Sequence, residues 1–96
     1  MCGIHGFNRS DPELLKKMIA NSLRRGPDGQ GTYVDDNISI GHNLLAIMDV
    51  PNRSSQPWRS RCGRYVLAFN GEIYNFIELR DELQKGGDQF STNCDT

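Results

Sequence analysis

The chain has 96 residues, with 11 Lys and Arg against 12 Asp and Glu, and a formal net charge of -1. This balance argues against the broad basic face of a nucleic-acid-binding protein, and the sequence contains no run of 18 apolar residues that could span a membrane. The opening residues lack the basic and apolar regions of a secretory signal. We therefore expect a single polar domain in the cytoplasm, with neither nucleic acid nor membrane as a partner.

Three cysteines, Cys2, Cys62 and Cys94, lie at wide spacings, and no Cys-x-x-Cys pair or Cys/His cluster accompanies them. This pattern predicts free thiols in a reducing compartment and no metal site. Cys62 lies among arginines, which we expect to lower the pKa of its thiol. The simpler interpretation of Cys62 is an incidental surface thiol.

Two segments carry apolar residues at helical spacing. The first predicts a helix from Pro12 to Leu23, with Ser10 and Asp11 as its polar cap and proline in its first turn. The second predicts a helix from Phe76 to Lys85, which would begin after a cap at Asn75 and end at Gly86-Gly87. Its apolar face would carry Phe76, Leu79 and Leu83.

Five apolar or alternating segments are predicted as strands. They are residues 2–7, 32–34, 38–41, 44–50 and 65–69. The residues Asp35-Asp36-Asn37 predict a turn between the second and third strands, and segments 24–31 and 52–60 predict loops. The order of strand, helix, several strands and helix predicts an α/β or α+β domain.

Met1-Cys2 is the most chemically suggestive feature of the sequence. Removal of Met1 would leave Cys2 with a thiol and a free α-amine, whose pKa near ~8 allows it to act as the base for its own side chain. From position alone, an ordinary second residue is the simpler interpretation. His5 and His42 could assist, but a lone histidine is more often a structural hydrogen-bonding residue.

Several motifs follow one another along the whole chain. They are Met1 to Gly6, Arg25 to Gly29, Gly41-His42, Leu45 to Asp49, Gln56-Pro57, Phe69 to Asn75, Leu79 to Leu83 and Cys94 to Thr96. Together they resemble the glutaminase domain of class II glutamine amidotransferases, of the asparagine synthetase type. The resemblance implies an α+β fold of the N-terminal-nucleophile hydrolase type, in which antiparallel sheets lie between helical layers. Residues 1–96 would be the N-terminal part of that domain.

The resemblance also implies a reaction, in which Cys2 attacks the side-chain amide of glutamine and releases ammonia. Asn70 and Gly71 match the oxyanion-binding positions. The implied substrate-binding residues are Ile47, Met48, Glu72, Asp95 and Arg25, of which Glu72 and Asp95 would hold the α-ammonium group.

Further partners follow from the resemblance. The ammonia would pass to a C-terminal synthetase domain that uses ATP and Mg²⁺, whereas residues 1–96 would need no cofactor. The chain ends where the family continues, so we expect a fragment, and a homodimer is a further expectation.

Leu44 departs from the family pattern, which has an arginine that binds the substrate's α-carboxylate at this position. Losing such a charge-assisted contact costs about 1.5–3 kcal/mol. Asn43, His42 or Arg24 could compensate. Two alternatives to an active glutaminase therefore stay open: a degenerate domain with a structural or ammonia-independent role, and an interaction module without catalysis.

Overall fold

A computed structural model describes residues 2–47 and 55–96 of the chain. Within these ranges it contains two helices and five strands, arranged as a small α+β structure with antiparallel sheets. The elements in chain order are β1 (Gly3–Phe7), α1 (Pro12–Asn21), β2 (Gly29–Val34), β3 (Ser39–Leu44), β4 (Trp58–Arg59), β5 (Val66–Leu67) and α2 (Phe76–Lys85).

The larger sheet has the strand order β1-β3-β2, so β3 is its central strand and pairs antiparallel with both neighbours. Gly3 of β1 lies opposite Asn43, and Gly29 of β2 lies opposite Leu44. The predicted turn between β2 and β3 is confirmed. The Asp35 carboxylate accepts hydrogen bonds from the Asn37 and Ile38 N–H groups, at 2.8 and 2.9 Å, and these bonds lower its pKa, with that to Asn37 as the largest cause.

Helix α1 packs on this sheet through Leu15 and Ile19, which are 1% and 4% exposed. The helix approaches closely because Gly41 has no side chain: a Cβ there would lie 2.9 Å from Leu15 Cδ1 and 2.8 Å from Ile19 Cδ1. The predicted cap is confirmed at Asp11, whose Oδ1 accepts a hydrogen bond from the Leu14 N–H at 3.0 Å. The helix ends at Asn21, two residues before the predicted end.

The second part of the structure contains the two-stranded sheet β4-β5 and helix α2. The bounds of α2 agree with the prediction, but none of its residues is buried, and Leu79 and Leu83 of its predicted apolar face are 40% and 46% exposed. Asn75 occupies the cap position, yet its side chain makes no capping hydrogen bond.

The two parts meet beside β2. Arg59 of β4 lies over the ring of Tyr33, at 4.8 Å from its centroid. A Cβ at Gly31 would overlap the Gln56 carbonyl oxygen, so glycine permits the chain to pass close to β2 at this point. The Gln56-Pro57 peptide bond is cis.

The strand predictions need several corrections. β2 begins at Gly29, inside the predicted loop, and β3 continues to Leu44, beyond the predicted end at Gly41. Residues 45–47 are not a strand, and the rest of the predicted strand 44–50 lies outside the described residues. Trp58 and Arg59 form a short strand within a predicted loop, and only Val66 and Leu67 of the predicted strand 65–69 are paired. No helix in the described ranges is long and apolar enough to cross a membrane.

Candidate active site

A cavity of about 150 Å³ lies where the first strand, the end of β3 and the chain's last residues meet. The residues that line it come from five separate stretches of the sequence. They are Cys2, Leu44, Leu45, Ala46, Ile47, Gln56, Phe69, Asn70, Gly71, Glu72, Cys94, Asp95 and Thr96. Its size suits a small ligand, because drug-sized molecules occupy pockets of about 300–1,000 Å³.

Cys2 immediately precedes β1 and is held by the backbone of Leu45. The Leu45 N–H donates a hydrogen bond to Cys2 Sγ at 3.3 Å, and the thiol donates to the Leu45 carbonyl oxygen at 3.8 Å. The thiol is half-buried and lines the cavity. The nucleophile candidate therefore has a fixed position and access to the space where a ligand would lie.

The loop before β2 supports the same wall of the cavity. The Asp28 N–H donates to the Leu44 carbonyl oxygen at 3.0 Å, and the Asp28 carboxylate accepts from the Ala46 N–H at 2.8 Å. A Cβ at Gly26 would overlap the Asn43 carbonyl group, so the loop can approach β3 only with glycine there. These contacts hold residues 44–46 against Cys2.

Asn70 and Gly71 line the cavity together with Cys2, although 68 residues separate Cys2 from Asn70 in the sequence. Both are exposed. The structure gives the Asn70 side chain no hydrogen-bond partner among residues 2–47 and 55–96, so its carboxamide is available to a ligand in that part of the molecule.

Glu72 and Asp95, the predicted binding residues for an ammonium group, line the same cavity. Glu72 is exposed, whereas Asp95 is half-buried and its Oδ2 accepts a hydrogen bond from the Ile73 N–H at 2.7 Å. This bond ties the last residues of the chain to the segment that follows Gly71. Arg80 of α2 reinforces the arrangement by donating to the Cys94 carbonyl oxygen at 2.9 Å.

The lining also contains apolar side chains, among them Leu44 and the exposed Ile47. Leu44 is 6% exposed and offers no charge to a carboxylate. Two of the three proposed substitutes for the arginine are engaged elsewhere: Asn43 bonds to His5 and to the Ile19 carbonyl oxygen, and His42 bonds to the Phe69 carbonyl oxygen. Among the lining residues that the structure describes, two are acids and none is Lys or Arg.

One predicted substrate-binding residue, Arg25, does not line this cavity. Arg25 is exposed in the turn after α1, where its N–H donates to the Ser22 carbonyl oxygen at 3.0 Å. Arg24, the third proposed substitute for the arginine, is also exposed in that turn. Neither lines the cavity. Met48 lies outside the described residues.

Gln56 and His42 support the site, although no sequence pattern indicates that role for either residue. Gln56 lines the cavity, is 6% exposed, and its Oε1 accepts a hydrogen bond from the Phe69 N–H at 2.5 Å. His42 is fully buried and its Nε2 lies 3.2 Å from the Phe69 carbonyl oxygen. Burial is the main cause that lowers the pKa of His42. In the sequence, Gln56 belongs to a Gln-Pro motif, and that motif does not indicate its hydrogen bond with the Phe69 N–H.

The remaining titratable side chains show no second constellation. Within the described ranges, no group of three or more His, Cys, Asp or Glu could hold a metal ion. All three cysteines are free. The pKa of the exposed Cys62 thiol is lowered as expected, but the main causes are hydrogen bonds to the Ser60 hydroxyl and to the Arg64 backbone, not the neighbouring cations.

Comparison with known proteins identifies relatives over the whole chain. The chain is 40% identical over 104 residues to asparagine synthetase (glutamine-hydrolyzing) 1 of Bacillus subtilis, and the match covers 100% of this chain and 16% of the relative. It is 42% identical over 103 residues to asparagine synthetase B (glutamine-hydrolyzing) of Escherichia coli, covering 99% of this chain and 18% of the relative. A further relative is asparagine synthetase (glutamine-hydrolyzing) 1 of Saccharomyces cerevisiae, 41% identical over 87 residues, covering 85% of this chain and 15% of the relative.

The chain therefore spans less than a fifth of the length of these curated relatives. The sequence profile of the glutamine amidotransferase domain matches residues 1–96. This match covers every element described above, and the chain belongs to the glutamine amidotransferase domain family.

Proposed function

We propose that this domain hydrolyses glutamine to glutamate and ammonia, with Cys2 as the nucleophile. The observation that carries the proposal is the convergence of Cys2, Asn70, Gly71, Glu72 and Asp95 on one small cavity, from segments far apart in the sequence. A thiol, two candidate oxyanion donors and two carboxylates are the groups that hydrolysis of an amino-acid amide needs. The complete domain would have the N-terminal-nucleophile hydrolase fold.

The chemistry begins after removal of Met1. The α-amine of Cys2 accepts the thiol proton as Sγ attacks the glutamine side-chain carbonyl carbon. The Asn70 carboxamide and the Gly71 N–H donate hydrogen bonds to the resulting oxyanion, and each such donor is typically worth about 3–4 kcal/mol. The C–N bond then breaks, and the amine returns its proton to the departing ammonia. Water hydrolyses the thioester, which regenerates Cys2 and releases glutamate.

The acids and the apolar side chains of the lining have separate roles in this scheme. Glu72 and the free oxygen of Asp95 bind the α-ammonium group of glutamine, while Ile47 packs against its methylene carbons. Arg25 and Met48 stay predictions as further binding residues. The released ammonia serves an amidation of the kind carried out by the relatives, which are named asparagine synthetases. In this proposal a separate synthetase domain binds ATP and Mg²⁺ and uses the ammonia. The free thiols suit a cytoplasmic protein.

The proposal is tested with the intact protein and glutamine. Cys2→Ala is expected to abolish glutamate release, while Cys62→Ala is expected to retain it, because Cys62 is an exposed thiol outside the cavity. Mass spectrometry of the mature N-terminus supplies the second measurement. Retained Met1 in the active preparation, or glutamate release by the Cys2→Ala variant, would contradict the proposed role of Cys2.

A second candidate function rests on Leu44 and on the lack of a cation among the described lining residues. In this alternative the glutaminase site is degenerate, and the domain has a structural or ammonia-independent role. An electrophilic glutamine analogue separates the two: covalent labelling of Cys2 supports glutaminase activity, and its absence with a free Cys2 α-amine supports degeneration. Leu44→Arg is expected to tighten glutamine binding about ten-fold or more if the carboxylate site is otherwise intact.

A further inference from the structure

The backbone of Phe69 is held by two buried side chains instead of by a neighbouring strand. β5 ends at Leu67, and residues 68–70 have no strand partner. The Phe69 N–H donates to Gln56 Oε1 at 2.5 Å, and the Phe69 carbonyl oxygen lies 3.2 Å from His42 Nε2. Both hydrogen-bonding groups of the residue immediately before Asn70 are thereby satisfied. We call this pair of contacts the Phe69 clamp.

The chemistry of the contact fixes the protonation of His42. A carbonyl oxygen can only accept, so Nε2 must carry the proton and the neutral ring leaves a lone pair on Nδ1. Within the described ranges, that Nδ1 is buried and has no hydrogen-bond partner. An unsatisfied buried polar atom is unfavourable. An apolar side chain would avoid the unfavourable burial of this unpaired nitrogen. We therefore attribute the presence of histidine at position 42 to its hydrogen bond with the Phe69 carbonyl oxygen.

Strand β3 and its continuation connect this clamp to the nucleophile. His42 contacts Phe69, and Leu45, three residues further along, holds Cys2 Sγ with its backbone N–H. Residues 42–45 therefore contact both Cys2 Sγ, through the Leu45 N–H, and the Phe69 carbonyl oxygen, through His42. Gln56 accepts the hydrogen bond from the Phe69 N–H and also lines the cavity.

We propose that His42 and Gln56 are positioning residues that set the Asn70 carboxamide and the Gly71 N–H relative to Cys2 Sγ. The inference rests on the proposed glutaminase function and names which buried groups keep its oxyanion donors in place. Neither residue touches the substrate's reacting atoms in this scheme. Their effect passes through the Phe69 backbone.

A positioning role predicts a particular kinetic signature. Oxyanion donors interact most strongly with charge that develops in the transition state, so displacing them lowers kcat more than it raises KM. A misplacement of about 1 Å can reduce a rate about 100-fold. Loosening the Phe69 clamp is therefore expected to reduce kcat by about 10- to 100-fold, with KM changed less than about threefold.

Two pairs of variants in the intact protein test the proposal. His42→Leu removes the donor to the Phe69 carbonyl oxygen, whereas His42→Gln keeps a side-chain N–H that can reach it. Gln56→Leu removes the acceptor for the Phe69 N–H, whereas Gln56→Glu keeps one. We expect each leucine variant to show the fall in kcat and each conservative variant to stay within about fivefold of the native protein. Unchanged kcat in both leucine variants, or equal losses within each pair, would overturn the positioning role.

Amide hydrogen exchange provides a readout that does not depend on turnover. In Gln56→Leu we expect exchange at residues 69–71 to accelerate at least about tenfold, while exchange in β1 to β3 is unchanged and shows that the sheet is folded. Unchanged exchange at residues 69–71 would overturn the clamp. A native protein that releases no glutamate would instead contradict the proposed function, so the two failures are distinguishable.

Discussion

The sheet that holds Cys2 and the segment that holds Asn70 are stabilised in different ways. β3 pairs along its whole length with two strands and is covered by α1, so the buried residues concentrate there. The chain from 66 to 85 has one short strand pair and a helix without a buried residue. The proposed nucleophile therefore lies on the rigid part, while the proposed oxyanion donors depend on side-chain hydrogen bonds to Phe69.

This difference indicates that the two halves of the cavity have unequal local stability. Elements with few buried contacts open at a lower free energy than a packed sheet does. The donors of Asn70 and Gly71 are thus the part of the site that a distant substitution can displace most easily. The following changes test the contrast, from the largest expected effect to the smallest.

Matched leucine truncations in the two helices should differ most. Leu15→Ala, in α1, removes a side chain that is 1% exposed, and is expected to lower the free energy of unfolding by about 2–5 kcal/mol. Leu83→Ala, in α2, removes one that is 46% exposed and should cost less than about 0.5 kcal/mol. Urea denaturation measures both. Equal losses in the two variants would contradict the difference in burial between the two helices.

The two helix caps form a second matched pair. Asp11→Ala removes an acceptor that bonds the Leu14 N–H and is expected to cost about 1 kcal/mol of stability. Asn75→Ala should change stability by only a few tenths of a kcal/mol, because its side chain makes no capping bond. Thermal denaturation of the two variants supplies the comparison, and a larger loss at Asn75 than at Asp11 would contradict it.

The dependence of stability on pH tests the buried histidine. Burial lowers the pKa of His42 below 6.5, and the nearby His5 lowers it further. The hydrogen bond to the Phe69 carbonyl oxygen acts in the opposite direction and raises the pKa. The unfolded chain therefore takes up a proton at this ring at a higher pH than the folded chain does. The stability that neutral His42 contributes to the folded state is fully present above pH 6.5. It is lost as the pH falls through the pKa of His42 in the folded protein, which lies below 6.5.

Urea denaturation between pH 5 and 8 measures this loss against His42→Gln, which cannot titrate. The native protein is expected to lose more stability than the variant on acidification. Parallel curves for the two proteins would contradict the lowered pKa.

Local signals predicted the helices well. Asp11 followed by Pro12 marks the start of α1, and Gly86-Gly87 marks the end of α2, because these residues act on the chain immediately beside them. Burial of α2 could not be predicted in the same way. It depends on which surface the fold brings opposite Leu79 and Leu83, and no local pattern contains that information.

The central strand was harder to recognise for a physical reason. All residues of β3 except Ile40 are buried, so side chains on both faces of the strand are covered and the polar–apolar alternation of a half-exposed strand is lost. Ser39, His42 and Asn43 are polar yet fully buried, because each makes a hydrogen bond across the fold; the Ser39 hydroxyl, for example, donates to the Arg9 carbonyl oxygen at 2.7 Å. Polar residues in these places look like loop residues in the sequence.

The resemblance to the family predicts residues for the candidate site, but it does not predict the residues that support them. Cys2, Asn70, Gly71, Glu72 and Asp95 line one cavity, and sequence motifs had singled out all five. Gln56 and His42 act through the backbone of a residue that lies 13 and 27 positions away. Contacts of that kind arise only when the chain is folded.

Gly31 has a consequence for the outer edge of the larger sheet. β2 is an edge strand, and such edges offer unpaired backbone groups to strands of other molecules. Because Gly31 has no side chain, the Gln56 carbonyl oxygen lies close to one face of this edge strand, and the Arg59 guanidinium lies over the Tyr33 ring two residues further on. A single missing methyl group thus lets the segment that leads to β4 pack on the outermost strand of the larger sheet.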